Sequence, residues 1–338
     1  MKILKVIGMV ILILIAIFII LGLIAPARYA VTRSIEIKAP RELVFGHVQF
    51  WRHWQAWSPW AERDTSMIVT ISGIDGAEGA LYLWEGDPKI TGKGEMTNTG
   101  VIPLEEVAFQ THFIEPWESM SDGYFRFSAQ NDTTMVSWEF NGDNPFPWNV
   151  FALFMSMDRM IGKDMERGLN LLQQLCEKEA EIILSYQIKE ITLPAINYAV
   201  IRKNIGFPEM EQFFSESYTD LMTNLGKNMI RMTGPPSALY FSWDEQNMQT
   251  ELAAAIPIRG TFNKGNVSTI SIPQTKAYQL DYYGPYDGLA LAHQALDMYL
   301  MKQEAKFVGP AIEEYVSDPM TETDPAKWLT RIYYPVEK

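Results

Sequence analysis

Hydrophobic and polar positions follow three patterns along the chain. From Val6 to Ala27 no residue is charged, and Ile, Leu and Val dominate. Alternating apolar and polar residues, as in Ala30–Lys38, predict strands with one buried face. Apolar residues that recur every three or four positions, as in Trp148–Glu179, predict an amphipathic helix. We therefore expect an N-terminal hydrophobic helix followed by α+β domains.

Residues 1–27 are predicted to be a single-pass transmembrane anchor. At about 1.5 Å per residue, the run is about as long as a bilayer's hydrocarbon core is thick. A cleaved signal peptide is the alternative, because Ala25-Pro26-Ala27 resembles a small-residue cleavage site. The run exceeds the usual apolar length of a signal peptide and the site contains a proline, so we favour an anchor. Basic residues flank both sides almost equally. A short tail before a large soluble part favours extracytoplasmic domains.

Residues 28–181 are predicted to form an antiparallel sheet covered by a long C-terminal helix. The helix spans about Trp148–Glu179 and carries an apolar stripe from Phe151 to Leu175. A sheet covered by one amphipathic helix can enclose a cavity. The other predicted elements are a helix at Arg41–Phe50 and strands at Ala30–Lys38, Ile68–Ile71, Gly79–Glu85, Gly92–Asn98, Glu106–Phe113, Gly123–Ala129 and Thr134–Phe140.

An ordered set of segments in this region resembles the polyketide cyclase / START-like (SRPBCC) superfamily. The segments are SIEIKAPRELVF, WQAWSPW, GALYLWEGD, GKGEM and TMVSWEFNGD, followed by the long helix. The order of the segments, rather than any one of them, carries the resemblance. It implies a helix-grip fold with an apolar ligand cavity. Most members bind hydrophobic molecules, and only some are enzymes.

Tryptophans are the candidate cavity residues of this domain. They recur at every third position from Trp51 to Trp60. They either gate the mouth of a cavity or form a structural wedge, which we favour because large aromatic side chains usually fill cores. The candidates are Trp57, Trp60, Trp84 and Trp138.

Residues 182–338 contain an internal repeat at an offset of 75 residues. Gly234-Pro235-x4-Tyr240-x-Ser242 matches Gly309-Pro310-x4-Tyr315-x-Ser317. Two β-α-β-β copies would form a pseudo-two-fold module with a ligand groove at the seam. The predicted elements are strands at Ile188–Arg202, Ala253–Pro257, Ser268–Tyr283 and Arg331–Pro335, and helices at Glu209–Met222 and Tyr286–Gln303.

The second copy resembles the GyrI-like family, also known as the effector-binding domain of AraC-type and related regulators. The segments that carry the resemblance are YYGPY at 282–286, GPxxExYxxDP from Gly309, DP at 324–325 and IYYPV at 332–336. It covers 182–338 and implies binding of small, often cationic or amphipathic, organic molecules in an aromatic groove around a glutamate. The first copy departs from this pattern, because Ala238 stands where the second copy has Glu313.

Glu313 is the main candidate ligand-binding residue. On a strand, Glu313 and Tyr315 share one face and Glu314 the other. A carboxylate among aromatic rings at low dielectric attracts a cation, and the rings add cation–π attraction. In the alternatives, Glu314 is the inward carboxylate or neither of the two is. The candidate wall residues, each of which could instead be ordinary core, are Tyr315, Trp328, Tyr240, Trp243 and Tyr283.

The counts of charged residues, cysteine and histidine limit the kinds of partner that we expect. Lys and Arg total 28 against 41 Asp and Glu, for a net charge of −13, and no basic cluster is evident. We therefore expect no nucleic-acid partner. A single cysteine and four scattered histidines predict no metal site, and no cofactor is expected.

The leading hypothesis is a membrane-anchored protein that senses or sequesters a small hydrophobic or cationic amphipathic ligand, without catalysis. The first alternative is a hydrolase of reactive small molecules, because some GyrI-like proteins are similar in fold and hydrolyse such compounds. Glu313 would be the general base and Tyr283 or Tyr315 the acid. The second alternative is a protein inhibitor of the gyrase type, which an exported anchor argues against.

Overall fold

A computed structural model describes residues 2–130 and 133–337. The chain divides into two compact units, with the boundary between Ala180 and Glu181. Helix α1 (Lys2–Ile24) opens the first unit. Its segment Ile3–Ile24 is long and apolar enough to cross a membrane, judged by length and composition.

The described part of the first unit forms a seven-stranded antiparallel sheet in the order β1-β7-β6-β5-β4-β3-β2. Helices α2 (Arg41–Gln49) and α3 (Pro59–Arg63) follow β1, and α4 (Met157–Ser185) follows β7. The strands are β1 (Arg28–Ile37), β2 (Ile68–Ser72), β3 (Leu81–Glu85), β4 (Lys93–Ile102), β5 (Glu106–Glu115), β6 (Ser119–Gln130) and β7 (Thr133–Asp143).

The long helix begins later than the sequence pattern predicts. Residues Trp148–Leu153 form a separate 3-10 helix, and α4 starts only at Met157. The Asn149 side-chain amide donates to the carbonyls of Gly22 (2.7 Å) and Ala25 (3.1 Å). The last carbonyls of a helix lack intrahelical partners. Asn149 satisfies two of them at the end of α1, and this holds the 3-10 segment against that helix.

The described part of the second unit forms one sheet in the order β12-β9-β11-β10-β15-β16-β13-β8, with β14 paired to β16. Helices α5 (Met210–Lys227) and α6 (Leu289–Lys302) belong to this unit. The strands are β8 (Ile188–Leu193), β9 (Ile196–Gly206), β10 (Ser237–Asp244), β11 (Gln249–Ile258), β12 (Ser268–Ile272), β13 (Thr275–Tyr283), β14 (Lys306–Phe307), β15 (Ala311–Tyr315) and β16 (Leu329–Glu337).

Two predicted strands are each broken in two. Ile188–Arg202 divides at Pro194 into β8 and β9, and Ser268–Tyr283 divides at Pro273 into β12 and β13. Proline has no N–H for the strand ladder and restricts the residue before it, so a continuous strand ends there. The halves separate widely, because β8 pairs with β13 and β12 pairs with β9.

The centre of this sheet joins β10 to β15. The antiparallel register places Ala238 directly opposite Glu313. The side chains of such a pair lie on the same face of the sheet. Leu221 and Leu225 of α5 pack on β9 and β11 in a buried apolar cluster, and α6 buries Ala292, Ala295 and Leu296. The sheet therefore places position 313 at its middle.

Candidate functional site

Glu313 is a buried carboxylate held by tyrosine and histidine. Its side chain is 6% exposed. Tyr315 Oη donates to Glu313 Oε2 at 2.7 Å, and His293 Nε2 lies 2.7 Å from Oε1. His293 Nδ1 lies 3.0 Å from Tyr334 Oη. His293 thus joins Glu313 to Tyr334, and the tautomer of its ring decides which nitrogen donates a hydrogen bond.

Aromatic rings surround this carboxylate. The Tyr240 ring lies 6.3 Å from His293 and 5.9 Å from Trp243, measured between centroids. Tyr286 lies 5.4 Å from Tyr315 and 5.3 Å from Trp328. These edge-to-face and tilted contacts form two groups of rings, which Glu313 joins through its hydrogen bonds with His293 and Tyr315.

The tyrosines around Glu313 have raised pKa values. Burial, and then the charge of Glu313, raise the pKa of Tyr218, Tyr240 and Tyr315 well above the ordinary value for tyrosine. The three phenols therefore stay neutral at physiological pH. In the described part of the chain, neither lysine nor arginine forms an ion pair with Glu313.

The adjacent carboxylate, Glu314, has a different environment. Its Oε2 accepts hydrogen bonds from Arg331 Nη1 and from Tyr333 Oη, both at 3.2 Å. Arg331 also ion-pairs with Asp281 at 2.8 Å. Glu314 is thus already neutralised by a cation and is a matched comparison for Glu313.

The structure brings together most of the predicted wall residues. Glu313, Tyr315 and Tyr240 converge, and Trp243 and Trp328 join them through ring contacts. Tyr283 stands apart at the end of β13, where its side chain is 62% exposed. Within the described residues, its ring takes part in none of the contacts above. Strand alternation explains this, because Tyr282, its neighbour, is the buried one.

Four residues of the site were missed by reasoning from the sequence. His293 and Tyr334 contact each other, and His293 contacts Glu313. A signal existed for one pair: Tyr218 and His293 are 75 residues apart, the offset of the repeat. The missed residues are Tyr218, Tyr286, His293 and Tyr334.

Three of the four candidate tryptophans of the first unit, Trp57, Trp60 and Trp138, lie in a packed aromatic cluster, whereas Trp84 contacts Phe113. Trp57, Trp84 and Trp138 are buried and Trp60 is half-buried. Trp138 stacks on Phe125 at 4.8 Å, and both Trp57 and Trp60 contact its edge. A Cβ added at Gly168 of α4 would lie 3.1 Å from the Trp138 ring. The indole therefore reaches from the sheet to the long helix.

Comparison with known proteins bears on the second unit. Residues 183–337 match a family model described as the GyrI-like small molecule binding domain. No curated protein matches the chain.

Several solved structures are similar to part of the chain. The C-terminal domain of EcmrR is 22% identical, with a TM-score of 0.38, over 46% of this chain and 99% of that one. A hydrolase from Listeria innocua is 14% identical, with a TM-score of 0.33, over 48% of this chain and 98% of that one. SAV2435 bound to tetraphenylphosphonium is 15% identical, with a TM-score of 0.34, over 45% of this chain and 94% of that one. By the family match, residues 183–337 are a GyrI-like small molecule binding domain.

Proposed function

We propose that this chain is a membrane-anchored small-molecule-binding protein whose second unit takes a cationic, amphipathic organic ligand at Glu313. One observation carries the proposal. Glu313 is a buried carboxylate, ringed by tyrosines, whose hydrogen-bond partners in the described residues are phenol and imidazole groups rather than Lys or Arg.

Burial of a charge is costly unless a partner of opposite charge or several hydrogen bonds compensate it. Tyr315 and His293 supply two hydrogen bonds but no fixed positive charge. A guest cation would supply that charge, and the faces of Tyr240 and Tyr286 would add cation–π attraction. Apolar parts of the guest would pack on the rings of Trp243 and Trp328, which are partly exposed.

We infer further that the site lies on the seam of a pseudo-two-fold duplication. Three pairs of positions 75 residues apart surround it: 218 and 293, 238 and 313, 240 and 315. Tyrosine occupies 240 and 315 alike, whereas the carboxylate occurs in the second copy and faces Ala238 of the first. A single negative charge on such a seam favours a guest with a single positive charge.

The anchor and the first unit complete the proposal. We propose that α1 spans the membrane and that the first unit is a helix-grip domain of the START-like kind. Its antiparallel sheet, followed by one long amphipathic helix, supports this proposal. Mass spectrometry of extracts from the purified chain would identify a retained hydrophobic compound.

Titration calorimetry with tetraphenylphosphonium tests the site, with neutral triphenylphosphine oxide as the ligand of similar shape. We expect Glu313→Gln to weaken binding of the cation by roughly thirtyfold, about 2 kcal/mol, because the amide keeps the shape but loses the charge. Glu314→Gln is the matched control and should leave binding unchanged. Equal loss in both variants, or equal affinity for both ligands, would contradict the proposal.

The hydrolase remains a second candidate because Glu313 contacts both Tyr315 and His293 at 2.7 Å. Glu313 would then activate water, with Tyr315 as the acid; exposed Tyr283 is the less suitable acid. Turnover of an epoxide that Glu313→Gln abolishes would establish this activity. The gyrase-inhibitor alternative is tested by capture of gyrase on the immobilised full chain.

A further inference from the structure

We propose that the first unit docks on the lipid surface through an apolar rim around the end of α1, so that the bilayer holds the unit at a second contact besides the anchor. The inference rests on the anchoring part of the proposed function and on no particular orientation. The anchor-side rim consists of six exposed apolar residues: Trp117, Met120, Phe146, Trp148, Phe151 and Phe154.

The rim is continuous with the hydrophobic helix. The Phe18 and Trp148 rings meet edge to face at 6.3 Å, and Trp148 stacks on Phe151. A Cβ on Gly22 would lie 3.0 Å from the Phe146 ring, so this phenyl group covers the last turns of α1. The Asn149 hydrogen bonds to the carbonyls of Gly22 and Ala25 fix the same segment in place.

Strand register brings the remaining part of the rim to the same end of the sheet. Arg28 pairs with Asp143, and Gly142 pairs with both Tyr29 and Ser121. The turn between β5 and β6, which carries Trp117, therefore lies beside the start of β1. The turn that carries Trp117 and the segment that carries Trp148 are far apart in sequence, yet both present apolar side chains at the same end of the sheet.

The short connection between α1 and β1 places this end of the sheet next to the bilayer. Three residues, Ala25 to Ala27, connect α1 to β1 at Arg28. Three extended residues reach at most about 11 Å. If α1 spans a membrane, Arg28 and its neighbours on the sheet edge lie at the membrane surface. A rim of Trp, Phe and Met at that depth matches the aromatic belts found at membrane interfaces.

The charges at this edge indicate which property of the lipid is recognised. Asp143 forms an ion pair with Arg28, and Glu118, next to Trp117, lies 3.3 Å from His112 Nε2; both carboxylates are largely exposed. Because these acidic groups offset the basic ones, the surface gains little from anionic headgroups. The rim is therefore expected to insert into the interface of neutral phosphatidylcholine by its apolar area.

Lipid-borne quenchers test the inference on the full chain in phosphatidylcholine vesicles. A fluorophore is attached at Trp117→Cys or Phe154→Cys, and at Ile102→Cys as control. Ile102 is an exposed apolar residue at the opposite end of the sheet, paired with Glu106. The native thiol, Cys176, is buried and its pKa is raised by burial, so it should stay unlabelled. Unchanged thermal unfolding confirms that each variant folds.

We expect nitroxide on the upper acyl chain to quench both rim labels by about half or more and to leave the Ile102 label unchanged. Quenching of the rim labels by aqueous iodide instead would overturn the inference. So would rim labels shielded from both quenchers, since a protein partner would then cover the rim. Carbonate extraction distinguishes the anchor proposal from the docking proposal. If the chain stays in the membrane but the rim labels are not quenched, docking alone is refuted. If carbonate releases the chain, both the anchor and docking are refuted.

Discussion

The two units hold aromatic residues of different chemical character. Eight of the ten tryptophans lie in residues 1–180, whereas twelve of the fifteen tyrosines lie in residues 181–338. In the first unit, indole and phenyl rings pack on one another, with Trp54 4.9 Å from Trp57 and Trp51 5.9 Å from Phe109. In the second unit, phenols surround Glu313. We therefore expect the ligand at the hydroxylated rings around Glu313, a buried carboxylate without a Lys or Arg partner among the described residues, rather than at the packed rings of the first unit.

The largest expected effect concerns the apolar cluster. Trp57→Ala should lower the free energy of unfolding of the first unit by about 3–5 kcal/mol, because a fully buried indole would leave a cavity. Urea unfolding followed by tryptophan fluorescence reports mainly on this unit. Half-buried Trp60 gives the control, with a smaller loss for Trp60→Ala. Unchanged stability after Trp57→Ala would favour a cavity gate over a structural wedge.

Removal of the Tyr315 hydroxyl should have the next largest effect. Tyr315→Phe takes a donor from a buried carboxylate and should destabilise the second unit by about 1–3 kcal/mol, measured by calorimetry. Tyr333→Phe is the matched control, since Glu314 keeps its contact with Arg331. If both variants lost the same stability, the two carboxylates would not differ as described.

Moving the charge across the seam tests the duplication. Glu313→Ala should abolish tight binding of tetraphenylphosphonium, and adding Ala238→Glu should restore roughly tenfold in affinity, about 1.4 kcal/mol. The physical reason is that positions 238 and 313 are directly opposed on one face. Ala238→Gln in the same background controls for polarity without charge. A charge at 238 that restored nothing would argue against a site on the seam.

The smallest expected effect concerns Asp64, the buried carboxylate of the first unit that we compare with Glu313. Asp64 in the first unit accepts hydrogen bonds from Ser66, Thr91 and the Asp87 backbone. The Ser66 hydroxyl first, and then Thr91, lower its pKa to about 2. A lowered folded-state pKa contributes stability above the ordinary aspartate pKa of about 3.9, and that stability is lost as pH falls toward the folded value.

Asp64→Asn should therefore reduce stability at neutral pH and flatten the acid-dependent loss between about pH 4 and pH 2, measured by urea unfolding at each pH. Exposed Glu85, paired with Lys93, supplies the control variant Glu85→Gln, which should change little. An unaltered acid profile in Asp64→Asn would show that other groups control acid unfolding.

Much of the fold follows from periodicity in the sequence. Alternation located the strands of the first unit to within a few residues, because one face of each strand packs inward while the other meets solvent. The predicted start of α4 was too early. The apolar residues of Trp148–Leu153 fit the spacing of the helical stripe, but they form a separate 3-10 helix that contacts the end of α1. The broken strands at Pro194 and Pro273 carried a local signal, since proline interrupts a ladder.

The site was only partly predictable. Strand alternation predicted that Glu313 and Tyr315 share a face, and the repeat pointed to Tyr240. The repeat offset also relates His293 to Tyr218, but no local pattern shows that the His293 ring reaches Glu313 from a helix. Tyr283 lies in a motif rich in tyrosine, yet its place at the strand end leaves it exposed.

The sequence by itself determined the apolar helix, the two periodicities, the 75-residue offset and the presence of a glutamate in one copy where the other has alanine. These are properties of neighbouring or repeated positions. Tertiary structure alone decided that Glu313 is met by His293 and that Trp117 lies at the same sheet edge as the end of α1. Such contacts depend on strand order and register, which bring together residues that no local pattern connects.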